Sequence, residues 1–159
     1  MAQKNEEKVK TALVWITDIL KTSNIPFLIT GGLAAIAYGA TRVLLDIDID
    51  IPEDKFEVLE KQVSKFLVFG PDQFKSDLWD LKLMTLTYNN QEIDLSGAYH
   101  TKIFNRTTNE WVQLNTNFSE YVEMNVFGLT MPVIPLKDLL AYKKILGRPV
   151  DISDIREIQ

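Results

Sequence analysis

Apolar residues recur at helical spacing near the start of the chain: Val9, Leu13, Ile16 and Leu20, with Trp15 and Ile19 widening the stripe. This predicts an amphipathic helix over residues 5–22, with Lys4, Lys8 and Lys10 on its wet face and a stop at Asn24-Ile25-Pro26. Phe27 to Thr30 is a short apolar run that fits a buried strand. Gly31-Gly32 follows, then a helix from Leu33 to Tyr38 that stops near Gly39. Over residues 45–51 the period changes to two. Asp46, Asp48 and Asp50 fall on one face of a strand, and Ile47, Ile49 and Ile51 on the other.

Further on, Pro52 with Glu53-Asp54 suits the first turn of a helix reaching about Phe66, with Phe56, Leu59, Val63 and Phe66 inward. Gly70-Pro71-Asp72 predicts a turn. Residues 81–88 alternate as a strand, and Asn89-Asn90 is a hairpin turn into a second strand, Glu92 to Ser96. Residues 98–118 carry no readable period. Val122 to Ile134, broken near Gly128, reads as a hairpin, and Leu136 to Leu146 as a helix. A short helix is expected from Asp151, after Gly147-Arg148-Pro149. The mixture predicts an α/β (α+β) fold with a small mixed sheet and flanking helices.

With 159 residues the chain is expected to be a single domain over residues 1–159. A net charge of −5 argues against broad, non-specific nucleic-acid binding, whose footprint is basic. The absence of cysteine excludes disulfides and thiolate metal sites and fits a cytoplasmic location. The first residues lack the apolar stretch of a signal peptide, and no apolar run is long enough to cross a bilayer.

The chemistry concentrates between Thr30 and Ile51. Aspartate is a poor strand former, and like charges along one strand face repel one another. Three in phase, set among isoleucines, suggest a divalent cation between them, and oxygen-only ligands point to magnesium or manganese. A paired glycine before a helix lets backbone amides approach a phosphate closely. A further carboxylate would complete a two-metal centre. Asp94, between Ile93 and Leu95, is the candidate, with Glu92 as the alternative of equal facing. Two cations can hold a nucleoside triphosphate and align an acceptor hydroxyl for in-line attack, with an aspartate oxygen taking the proton.

These motifs resemble the nucleotidyltransferase superfamily related to DNA polymerase β. The resemblance rests on Gly31-Gly32, Tyr38-Gly39-Ala40-Thr41-Arg42, Asp46-Ile47-Asp48-Ile49, and the late stretch Leu139 to Ile155 with its Arg148-Pro149-Val150-Asp151. It is nearest to small bacterial branches, the abortive-infection toxins and the antibiotic nucleotidyltransferases. It implies that Asp46, Asp48 and Asp94 bind magnesium and serve catalysis, and that Gly31 and Gly32 cradle the triphosphate. Arg42 either contacts phosphate or braces the metal loop. Lys143 or Lys144 reaches the phosphates, and Arg148 and Asp151 tie the last helix down. Counting from Arg42 favours Asp46/Asp48 over Asp48/Asp50 as the metal pair, leaving Asp50 solvated or paired with a lysine. Leu44 stands where many relatives carry a hydroxyl. The chain ends where many continue into an acceptor-binding domain, so the acceptor site is open to a partner, an antitoxin or a second copy.

Two functions therefore compete. One is a magnesium-dependent enzyme moving a nucleoside monophosphate onto a hydroxyl of a protein, a tRNA or a small molecule. The other is a degenerate nucleotide-binding or toxin–antitoxin interaction module. His100 reads as surface, and Trp15, Trp79, Trp111, Phe56, Phe66 and Phe69 as core.

Overall fold

The computed structural model describes residues 2–159, with side chains described from Asn5 onward, so Lys4 lies outside the residues whose side chains are described. Helix α1 spans Ala2–Thr22. Its stripe is buried at Val9, Leu13, Ile16 and Leu20. Asn24 takes the left-handed conformation at φ 54°, and the Ile25 amide donates back to the Leu20 carbonyl at 2.9 Å, which closes the helix. Strand β1 (Leu28–Thr30) leads straight into α2 (Gly31–Ala37), which begins at the first glycine rather than at Leu33.

The aspartate strand is β2, Asp46–Ile51. Ile47, Ile49 and Ile51 are fully buried and share a core with Leu13 and Ile16 of α1 and with Phe56 and Leu59 of α3 (Phe56–Val63). Full burial of each such side chain is worth about 1.5–3 kcal/mol. That driving force fixes the register of β2, because a one-residue slip would place the aspartates in the core.

The remaining strands are β3 (Leu67–Lys75), β4 (Trp79–Tyr88), β5 (Gln91–Gly97), β6 (Thr101–Asn105), β7 (Glu110–Leu114), β8 (Val122–Val126) and β9 (Leu129–Val133). All belong to one mixed sheet of order β7-β6-β4-β5-β2-β1-β9-β8, with β3 paired to β4. β2 runs parallel to β5 and antiparallel to β1, while β1 runs parallel to β9. Two helices complete the chain: α4 (Leu136–Leu146), closed by Gly147 at φ 57°, and α5 (Pro149–Ile158), which starts at the proline rather than at Asp151. No described helix is long and apolar enough to cross a membrane.

Several expectations need correction. Gly70-Pro71-Asp72 does not reverse the chain. It lies inside β3, where the pairing with β4 shifts register between Phe69 and Asp72. Gly70 sits at φ 75°, and a Cβ there would strike the Leu83 carbonyl, so the glycine marks a bulge. Residues 98–118 form β6 and β7, whose partly exposed faces blur the period. Of the six aromatics assigned to the core, only Phe56 is fully buried, and Phe69 and Trp111 are each 38% exposed. Trp15 and Trp79 are partly buried and pack against the core, and Trp15 also stacks on Tyr88 with centroids 4.3 Å apart. His100 is exposed, as expected.

Candidate active site

Parallel pairing of β2 with β5 sets Asp46 opposite Glu92, Asp48 opposite Asp94 and Asp50 opposite Ser96. Side chains at paired positions share a face, so the acidic residues of both strands meet on the side away from the isoleucines. Carboxylate oxygens of Asp46, Glu92 and Asp94 all lie within 4.8 Å of one another. Asp48 stands beside this trio and leans toward the glycine turn, where its carboxylate covers Gly31; a Cβ on Gly31 would collide with it. Glu92, the alternative to Asp94 by parity, thus joins the cluster together with Asp94.

The electrostatics are those of a site short of positive charge. Burial raises the Asp48 carboxyl well above its ordinary range, and the neighbouring Asp46, Asp94 and Asp50 push the same way. Asp94 is pushed up to about 7, by burial first, then by Glu92 and Asp46, although the Thr85 hydroxyl donates to it at 2.6 Å. Asp50 is likewise raised to about 7 by burial. It is half-buried on the cleft lining, has no lysine partner among the described residues, and accepts from the Thr116 hydroxyl at 2.7 Å.

Across the cleft stand α2 and α4. Gly31, at φ 59°, donates its amide to the Tyr142 hydroxyl of α4 at 2.7 Å. Burial, with the carboxylates of Asp48 and Asp50, keeps that phenol protonated far past neutral pH. Gly32 makes room for the Arg42 guanidinium, which a Cβ would strike. Arg42 Nε in turn lies 2.9 Å from Asp154. Lys143 is 1% exposed and holds Asp154 at 2.9 Å and Asp151 at 3.3 Å. Arg148 grips Asp151 through Nε at 2.7 Å and Nη2 at 3.1 Å. Burial opposes ionisation of Asp151, but Arg148 and Lys143 outweigh it and hold its carboxyl below the ordinary range. The chain Arg42–Asp154–Lys143–Asp151–Arg148 joins the loop before β2 to α4 and α5 at the rear of the cleft.

One cleft of about 730 Å3 includes both glycines, Asp46, Asp48, Asp50, Glu92 and Asp94, with Lys143 and Arg148 behind them. The carboxylates, Gly31, Gly32 and Arg42 are therefore brought together. Lys143, expected on phosphate, is committed to two aspartates. Tyr142, Thr85 and Thr116 escaped the sequence reading. Parity along β4 could have found Thr85, whereas the other two arrive from distant segments.

No protein-family model matches the sequence, and no curated protein matches it significantly. Solved structures do. A Thermotoga maritima protein taken to be a nucleotidyltransferase superposes with a TM-score of 0.72 at 21% identity, over 94% of this chain and 91% of its own. The lincosamide antibiotic adenylyltransferase LnuA, bound to lincomycin, gives 0.63 at 17% identity over 92% and 93%. ANT(2″)-Ia in complex with adenylyl-2″-tobramycin gives 0.60 at 18% identity over 93% and 86%. At these identities the likeness is one of fold.

Proposed function

We propose that this protein, which has the nucleotidyltransferase fold, transfers a nucleoside monophosphate from a nucleoside triphosphate to an acceptor hydroxyl and releases pyrophosphate. The observation that carries the reading is the convergence of Asp46, Glu92 and Asp94, with Asp48 beside them, in the cleft that also contains the Gly31-Gly32 turn. Fold neighbours that include antibiotic adenylyltransferases support it.

The residues fit a divalent cation. All donors are carboxylate oxygens, and burial with mutual repulsion lifts Asp48 and Asp94 above their ordinary range. Asp46, Asp48 and Asp94 would hold magnesium or manganese, with Glu92 able to join. When bound, the metal supplies charge neutralisation for the triphosphate and the developing pyrophosphate.

The chain's own groups do the rest. The turn at Gly31 and Gly32 receives the phosphates, with Arg148 the least enclosed cation of the network behind it. Arg42 and Lys143 act through Asp154 to hold that turn and α4 in place. The acceptor oxygen attacks the α-phosphorus, the bond from that phosphorus to the pyrophosphate oxygen breaks, and pyrophosphate leaves with the electron pair. The acceptor proton passes to a carboxylate of the cluster, the role this reading assigns to Asp94. The test is magnesium-dependent pyrophosphate release with each of the four triphosphates and a panel of hydroxyl acceptors. The reading expects release that Asp48→Asn abolishes without lowering the melting temperature. Undiminished release in Asp48→Asn would contradict it.

A further inference from the structure

The cleft does not end at the carboxylates. Trp79, Leu81, Leu83 and Thr85 alternate along β4. Thr85 is opposite Asp94 and Leu83 opposite Ser96, which puts all four on the acidic face of the sheet. Phe74 of β3 pairs with Leu81 and extends that face by one strand. The intervening Met84 and Leu86 point into the core. From β2 across β5 and β4 to β3 is three strand spacings, roughly 14 Å. Over that distance the floor changes from carboxylate to indole, leucine and phenyl, with Leu114 of β7 along the edge.

This wall is open. Phe74 is 37% exposed, and Trp79 and Leu83 are half-buried. The segment after β7 also lines the cleft, through Asn115, Thr116, Asn117 and Glu120. Thr116 is fastened to Asp50, and Glu120 lies 3.7 Å from Lys137 on α4. The cations among the described residues lining the cleft are Arg42, Lys143 and Arg148, each paired with an aspartate, and the lining also carries Asp138 and Glu120, the latter beside Lys137. A polyanionic acceptor gains nothing there, because nucleic-acid affinity comes from unpaired Lys and Arg. An apolar wall with few polar groups at its rim is the usual lining of a small-molecule pocket.

We propose that the β3–β4 wall is the acceptor subsite and that the acceptor is a low-mass, neutral or cationic compound, with one apolar face against Phe74, Trp79 and Leu83 and a hydroxyl directed at the carboxylates. The role of the hydroxyl rests on the nucleotidyl-transfer reading; the apolar subsite does not. Two measurements separate them. In the first, the neutral amphipath N-phenyl-1-naphthylamine is titrated against the full chain and its fluorescence followed. Saturable binding is expected, weakened about tenfold or more by Leu83→Glu and by the milder Phe74→Ser. Val14→Glu, in the shallow groove between α1 and Tyr88, should leave it unchanged. No saturable binding, or equal loss in Val14→Glu, overturns the subsite. In the second, the protein is given α-labelled triphosphates, magnesium and cell lysate. Label in a low-mass, organic-extractable product supports the acceptor class. Label in RNA or protein overturns it while leaving nucleotidyl transfer intact. If no triphosphate donates label, the transfer reading fails, and dye binding still decides the subsite.

Discussion

The Gly31 amide donates to the Tyr142 hydroxyl at 2.7 Å, so a group on α4 occupies the backbone donor that the glycine turn would offer to a phosphate. Ligand entry at that amide must displace the phenol. Tyr142→Phe removes the acceptor and leaves a part-buried amide unsatisfied, which costs about 1–3 kcal/mol. The variant should melt below wild type without ligand and show the larger upward shift in melting temperature on adding magnesium and ATP. An equal or smaller shift would mean that phosphate does not use the Gly31 amide.

Crowded carboxylates make the site a source of instability. Asp94 and Asp50 ionise near about 7 in the folded protein, against an ordinary value of 3.8. Between those values the folded state binds more protons than the unfolded state, so stability falls as pH rises from about 4 to about 7 and then levels off. Divalent cations compete with those protons. The melting-temperature increase caused by magnesium should therefore be small near pH 5 and largest near pH 8, as differential scanning fluorimetry can measure.

Asp48 sharpens the same conflict, because burial and three neighbouring aspartates hold its carboxyl well above the ordinary range. Asp48→Asn removes one charge from the cluster. It should raise the melting temperature of the metal-free protein at pH 8, by about 1–3 kcal/mol of stability, while abolishing activity. At lower pH, as the raised carboxyls of the cluster take up protons, the gain should shrink.

At the rear of the cleft the balance is reversed. Asp154 is fully buried between Arg42 and Lys143. Asp154→Ala strands the buried Lys143 ammonium with Asp151 as its remaining partner, and removing one member of a buried pair costs about 3–5 kcal/mol. Urea unfolding should show that loss. In a double-mutant cycle, Lys143→Met and Asp154→Ala together should cost less than the sum of the two.

Much of this arrangement was legible in the sequence. The alternation of aspartate and isoleucine fixes which face of β2 enters the core, and Ile93-Asp94-Leu95 repeats that pattern on β5, so facing followed from period two. Which strands would be neighbours did not. Local pattern carries no information on parallel pairing across the 39 residues between β2 and β5. Strand β3 was obscured because Gly70-Pro71 looks like a turn and most of its residues face solvent. The family resemblance implies Lys143 or Lys144 as a phosphate ligand, whereas the pairing of Lys143 with Asp151 and Asp154 arises only once α5 folds back on α4. Tyr142 was hidden for the same reason: its partner is the amide of Gly31, which any residue type could supply.

Nucleotidyl transfer at the Asp46–Glu92–Asp94 cluster is read most directly as movement of α-phosphate label onto an acceptor in the presence of magnesium. Label should move from at least one of the four triphosphates, and EDTA, Asp48→Asn or Asp94→Asn should abolish that transfer with both variants still folded. Transfer that persists in those variants, or none from any triphosphate while the protein remains folded, would contradict nucleotidyl transfer at that cluster.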